Sequence, residues 1–592
     1  MKRTVFLALI IAFLAIGNPS AAQNLIAGGD FEGEQAGQPP GGWEPFTPEA
    51  KPSAVVVAPG AGGSGKCLKV LPTPQRGMIA ISKQLRAPQD RVLVELDFAF
   101  SPSKGRTLNL WSHEPGGRDA SQWNLCIQNG KLMQFEGRSR TWRPITDRVK
   151  STTDPSRPVW HRLRAVMDRN AEGVDYWLSE PGSRELPAEP IATMAAYRTG
   201  LAIGGIDAVC GARLAGEAWY LVDNIVVRGG AGVPAPHEPP PEPKPYQLWT
   251  GPPIPDVEKI RFVEGVEHSV VHRAIQGEYQ FLHGASIVEH KDMLFANWAN
   301  SLVDENSATE TVRGRRSTDG GKTWSEIEVI APGFATPECH SHAPFLSYRG
   351  ELWAFAARFG IGQGRRFPGL TCEAFRLNEA TDRWESQGIA ITDCWPYHEP
   401  CKMDDGNWIT AGQDKDGLPV VAVSHGDNLR RWDAIKVPWP PDLRPAFAET
   451  AVLPEGNEVL AVIRGGGGVA WVSTSKDFGR TWSLARKSNY PMPRAKAYLG
   501  LLSTGQRYLL SNLKDRHTLV VSVSRPREST LCRMWRIRHG KSEPPRFPGR
   551  AKGKQWSYPY GHEYDGRLYV VYSVGKEDCG LSILPVESLK VR

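Results

Sequence analysis

The sequence predicts an all-β protein: a jelly-roll-type β-sandwich followed, after a proline-rich linker, by a six-bladed β-propeller. Three observations predict it. Gly (60), Pro (48) and Trp (20) are abundant among the 592 residues, and turn punctuation combined with strand-forming aromatics reads as all-β. Runs such as RVLVELDFAF, NLCIQNGKLMQF and AWYLVDNIVV alternate apolar and polar residues between Gly/Pro/Asp turns, as antiparallel strands do. Six later segments each join an apolar strand, a turn and a second strand: FLHGASIVEHKDMLFANW, HAPFLSYRGELWAFAARF, HEPCKMDDGNWITAG, FAETAVLPEGNEVLAVIR, AYLGLLSTGQRYLLSN and YPYGHEYDGRLYVVYS. They recur about every 50 to 60 residues, a spacing that suits propeller blades.

The chain is too long for one core, so two or three domains are expected. Lys2 and Arg3 precede an apolar run over residues 5–16, and Ser20-Ala21-Ala22 follows. This is the pattern of a secretory signal peptide over residues 1–22, with export beyond the membrane or to a periplasm. No later run reaches the ~18 apolar residues of a membrane span. Residues 229–253 contain VPAPHEPPPEPKPYQLWTGPP and read as a polyproline linker. They separate a sandwich over 23–228 from a propeller over 254–592.

The formal net charge of +7 suits an anionic substrate without requiring one. Lys/Arg runs with interleaved aromatics are absent, which excludes nucleic acid as a partner. The nine Cys match no zinc spacing, and neither metal nor cofactor is expected; Cys394 and Cys401 are close enough in sequence to bridge a loop.

Ser317-Thr-Asp-Gly-Gly-Lys-Thr-Trp324 and Ser475-Lys-Asp-Phe-Gly-Arg-Thr-Trp482 both fit S-x-D-x-G-x-T-W. Asp319 and Asp477 can accept backbone N–H groups in a hairpin turn, and the glycines supply permissive angles. Trp324 and Trp482 are expected to pack between blades. These turns resemble the Asp boxes of the sialidase superfamily, whose propellers carry such repeats. The box reports fold and not chemistry. The opening NLIAGGDFEG and closing WYLVDNIVV of the first domain resemble carbohydrate-binding, lectin-like sandwiches. Sugar binding and a purely spacing role both stay open for that domain.

The resemblance implies a substrate-carboxylate clamp of arginines, a Tyr nucleophile activated by a Glu, and an Asp acid/base. Arg pairs bidentately with carboxylates, and a neutral Tyr avoids the repulsion a carboxylate nucleophile meets at an anionic sugar. By similarity, FAETAVLPEGNEVLAVIRGGGG places Glu449 as the activating carboxylate and Arg464 as a clamp arginine. LLSNLKDRHTLVVSVS places Arg516 as another, and WSYPYGHEYDGRLYVVYS places Tyr558 as nucleophile, with Tyr560 as the neighbouring choice. The first blade departs from the pattern, because FLHGASIV carries His283 where an arginine is expected, unless Arg261 or Arg273 substitutes. Asp304 and Glu305, in NSLVDENSATETVRGRRS, are the acid/base candidates. His342 and Glu399, at other blade starts, are candidates for binding sugar hydroxyls, with His340 and His398 beside them.

The function expected is an exported exo-glycosidase that removes a terminal sialic or uronic acid from a glycan. A uronate-directed lyase, a rhamnosidase-like enzyme and a non-catalytic glycan-binding propeller remain alternatives.

Overall fold

The computed structural model describes residues 24–591 apart from 46–53, 64, 71–78, 103–105, 116–119, 138–140, 211–218, 231, 241–243, 336–337, 362–366, 442, 444 and 446. The expected signal peptide lies outside the described residues. Two compact units divide the chain, Met1–Glu242 and Pro243–Arg592.

The first unit holds two seven-stranded antiparallel sheets. Arg91–Phe100 is central in one of them, flanked by His161–Asp168 and Tyr220–Gly229. Ile203–Cys210 and Arg106–His113 lie inside the other. Phe98, Tyr176 and Val222 of the first sheet share one core with Trp123, Leu125 and Leu132 of the second. Alternation puts these side chains between the layers, as in a sandwich.

The second unit begins with a segment that is seated on it. The Tyr246 N–H donates to the Lys487 carbonyl (2.8 Å) and the Thr250 N–H to the Leu531 carbonyl (2.8 Å), and Leu248 is buried. Proline-rich chain can therefore still pack where its few N–H groups find an open strand edge.

Six antiparallel sheets follow among the described residues. Their innermost strands begin, in order, with Phe281–His290, Glu338–Ser341, Trp395–Pro396, Thr450–Glu455, Tyr498–Leu501 and Trp556–Tyr564. Each sheet adjoins the next and the sixth adjoins the first. The ring is closed by pairing Glu267–His272, from the start of the unit, with Asp578–Pro585 from its end. Closure removes the free edges an open row of sheets would expose.

Both S-x-D-x-G-x-T-W turns have the expected bonding. Ser317 Oγ donates to Asp319 Oδ1 (2.8 Å), which accepts from the Lys322 and Thr323 N–H groups (3.0 and 2.9 Å). Asp477 accepts from Ser475 Oγ (2.8 Å) and the Thr481 N–H (2.8 Å) in the same way. Trp324 packs into the cluster that joins Leu294 of the first sheet to Leu581 of the sixth. Trp482 joins Ile409 of the third sheet to Val459 of the fourth. Gly321 has φ +85°, and a Cβ there would stand 2.7 Å from Leu581 Cδ2. Gly321→Ala is therefore expected to destabilise the propeller by about 1–3 kcal/mol, read as a lower urea midpoint with an unchanged slope. An unchanged midpoint would show that this turn does not fix the blade junction.

The eight cysteines whose side chains are described are all free thiols. Cys394 and Cys401 thus form no bridge. Cys394 is buried in the core between the second and third sheets, while Cys401 stands beside His398 (Sγ to Nδ1 3.7 Å).

Candidate functional site

Three site side chains stand where a strand ladder loses register. The pairing shifts between His283 and Ser286, between Ile463 and Gly466, and between Ser557 and Tyr560. Such bulges re-aim side chains that a regular pleat would send to alternate faces. Tyr558 itself has φ 58°, a left-handed conformation costing a non-glycine residue on the order of 1–3 kcal/mol. At Gly284 (φ +63°) a Cβ would stand 1.9 Å from the His342 ring. Glycine there lets the imidazoles of His283 and His342 approach to 4.2 Å between centroids.

These residues line a small cavity of about 110 Å³. Tyr558 Oη donates to Glu449 Oε1 at 2.9 Å, and the other Glu449 oxygen pairs with Arg464 Nη1 at 2.8 Å. Tyr558 and Glu449 are each 4% exposed. Burial first, and then the Glu449 charge, raise the Tyr558 phenol well above its ordinary range, so it rests as the neutral hydroxyl. Arg516 stands 5.7 Å from the Tyr558 ring centroid and is held by the Arg494 carbonyl (2.8 Å) and Gln555 Oε1 (3.1 Å). Across the cavity Glu305 pairs with Lys576 (2.9 Å) and His283 Nε2 (3.3 Å). Burial, followed by the charge of Lys576, keeps His283 a neutral imidazole; burial and then His283 do the same for His342. Nδ1 of His283 and both ring nitrogens of His342 have no hydrogen-bond partner among the described residues. Three cations (Arg464, Arg516, Lys576) face two carboxylates (Glu305, Glu449), leaving one net positive charge in the lining.

The structure brings together Tyr558, Glu449, Arg464, Arg516, His283, His342 and Glu305. Asp304 and Glu399 must be reassigned. Asp304 accepts the N–H groups of Arg550 (2.7 Å) and Ala551 (3.2 Å) and is not among the cavity's lining residues. Burial alone would raise its carboxyl, but the N–H donors of Glu305, Arg550 and Ala551 hold it below the usual range. It staples a loop and is no proton donor at neutral pH. Glu399 accepts from Tyr498 Oη (2.6 Å) and Tyr560 Oη (2.7 Å) and lines a different pocket. That contact also removes Tyr560 as a nucleophile. Arg273 pairs with Asp578 (3.9 Å), and neither it nor Arg261 lines the cavity. His340 bonds the Pro332 carbonyl (2.7 Å), just past the last strand of the first sheet, and Glu373 (3.3 Å) of its own sheet.

Sequence reasoning missed Lys576, Tyr397 and Gln413. Tyr397 sits beside His398 at a blade start and was findable there. Lys576 lies in a hairpin whose residues carry no pattern. Buried Glu310, one residue before the strand Thr311–Ser317, was also missed. Burial, and then the Glu305 charge, push its carboxyl up to about 8. A folded-state pKa above the unfolded value gives a contribution complete below about pH 4.5 and lost as pH rises through about 8. Glu310→Gln is expected to be more stable than the parent at pH 8, by about 4 kcal/mol, and equal to it near pH 4. Parallel stability curves across that range would refute the assignment.

Residues 292–570 match the BNR repeat-like domain family. No curated protein matches the chain. Solved structures similar to it include a protein of unknown function from Dyadobacter fermentans, with 14% identity, TM-score 0.42 and coverage of 54% of this chain and 99% of that one. The NanB sialidase of Streptococcus pneumoniae gives 10% identity and TM-score 0.42, covering 84% and 95%. A leech intramolecular trans-sialidase gives 10% identity and TM-score 0.41, covering 85% and 95%. The twin Asp-box turns both lie within the stretch that matches the BNR repeat-like domain, in a chain built almost wholly of β-strands. Among the described residues no helix is long and apolar enough to cross a membrane.

Proposed function

We propose that this chain is an exported exo-glycosidase that removes a terminal acidic sugar, of sialic or uronic acid type, from a glycan. The observation that supports this reading most is the 2.9 Å bond from Tyr558 Oη to Glu449, itself neutralised by Arg464. A protein that only binds glycans needs no buried Tyr–Glu–Arg relay.

Tyr558 Oη attacks the anomeric carbon while its proton passes to Glu449 Oε1, and Glu305, after taking up a proton from solvent, delivers it to the departing glycosidic oxygen. Water then releases the sugar from Tyr558, with Glu305 taking the water's proton and Glu449 returning one to the phenolate. Arg516 and Lys576 receive the sugar carboxylate. The cavity is below the ~300 Å³ of ordinary ligand pockets, so a whole sugar enters only if the lining gives.

A second reading is β-elimination at a uronate, favoured by the neutral, unpartnered nitrogens of His342 beside Tyr558 (5.7 Å between ring centroids). The test is a fluorogenic sialoside run against a panel of uronic-acid-capped oligosaccharides, with products identified by NMR. A reducing sugar released with retained anomeric configuration supports the hydrolase, and an unsaturated uronate supports elimination. Glycan binding without cleavage would leave a lectin and refute both.

A further inference from the structure

The innermost strands lead away from the catalytic cavity to a second one. Tyr558 lies on the same strand as Gly561, His562 and Glu563, and Glu449 directly precedes a strand containing Leu453 and Pro454. Four or five residues of strand span about 13–17 Å, and the far residues line a pocket of about 690 Å³ with His398, Glu399 and Cys401. The two cavities are thus lined by opposite ends of the same two strands.

His398 Nε2 stands 2.7 Å from the Leu499 carbonyl. A carbonyl only accepts, so Nε2 carries the proton, and in the neutral ring Nδ1 keeps its lone pair. Around Nδ1 stand Glu399 Oε2 at 3.5 Å, Cys401 Sγ at 3.7 Å and the Glu399 carbonyl at 3.2 Å, and the Cys401 thiol donates to that carbonyl at 3.6 Å. The three side-chain donor atoms all lie within 4.8 Å of one another. Tetrahedral zinc, with bonds of about 2.0–2.3 Å to N, O and S, places its donors about 3.3–3.6 Å apart. The observed Nδ1 spacings already approach those edges. The backbone carbonyl that fixes Nε2, and the two tyrosine hydroxyls that orient Glu399, are the outer contacts such ligands have in metal sites.

We propose that His398 Nδ1, Glu399 and Cys401 Sγ bind one soft divalent cation of the zinc type, in this second pocket. Mixed imidazole, thiolate and carboxylate donors select Zn²⁺ over Ca²⁺ or Mg²⁺. Binding releases the Cys401 proton, and water from the pocket takes the fourth position. The site depends on no part of the glycosidase reading.

The test uses the full chain treated with a chelator and then titrated with Co²⁺ as the spectroscopic probe and Zn²⁺ as competitor. One equivalent of Co²⁺ is expected to give a thiolate-to-cobalt charge-transfer band and tetrahedral visible bands, both removed by one equivalent of Zn²⁺. Cys401→Ser should abolish the charge-transfer band, and Glu399→Gln, which keeps an acceptor for one of the two tyrosine hydroxyls, should weaken binding at least about tenfold. No stoichiometric binding, or a band that survives Cys401→Ser, would overturn the proposal.

Discussion

Tyr558→Phe is expected to lower turnover of a cleaved glycoside by at least about 1000-fold, some 4 kcal/mol of barrier, with little change in binding. Phenylalanine keeps the ring against which Arg516 and Lys576 stand (5.7 and 5.2 Å) and removes only the nucleophilic oxygen. Glu449→Gln should cost a similar factor, because the amide cannot take the phenolic proton. The two losses should not add, since both groups serve one transfer. Single-turnover rates and equilibrium binding of the same glycoside separate the steps. A Tyr558→Phe protein that turns over normally would remove Tyr558 from the chemistry.

Arg464→Met should produce the largest change in stability. Arg464 and Glu449 are both buried, and their ion pair is the principal compensation for a carboxylate held away from water. Removing one partner of such a pair costs about 3–5 kcal/mol, because the other is left buried and charged. Adding Glu449→Gln to Arg464→Met should recover much of that loss. Denaturant titration of the two single variants and the double variant closes the cycle. If the double variant is as unstable as Arg464→Met, the pair is not the source of the cost.

The sequence made the architecture readable because its strongest features are local. An Asp-box turn is built by residues within one hairpin, and so it is visible at that scale. Glu449, Arg464 and Tyr558 were marked by the resemblance of their strands, and of the neighbouring turn, to the sialidase pattern. Asp304 and Glu305 could not be separated, because an irregular loop has no period to say which side chain faces inward. Only the structure gives Asp304 to the backbone of Arg550 and Ala551 and Glu305 to the cavity. Glu399 failed for a related reason. It sits between two short strands, Trp395–Pro396 and Cys401–Lys402, where no regular alternation says which way a side chain faces. Lys496 shows a different limit. It is 3% exposed, its Nζ donates to the Pro559 carbonyl (3.1 Å), and burial pushes it down to about 8. A lysine in that position cannot be told from a surface lysine without the fold around it.

The three bulges that aim His283, Arg464 and Tyr558 divide the molecule's labour. Ladder bonds on either side carry each blade, while Arg464 and Tyr558 lie within their breaks and His283, paired with Ala299, stands at the edge of its own. Such a residue can be exchanged without re-registering the strand that holds it. A propeller organised this way can change which bond it cleaves, or whether it cleaves at all, by editing a few positions at its blade ends. Arg464 is the exception, since its charge is buried with that of Glu449. In this protein, exchanging cavity residues and keeping the fold conflict mainly at that one pair.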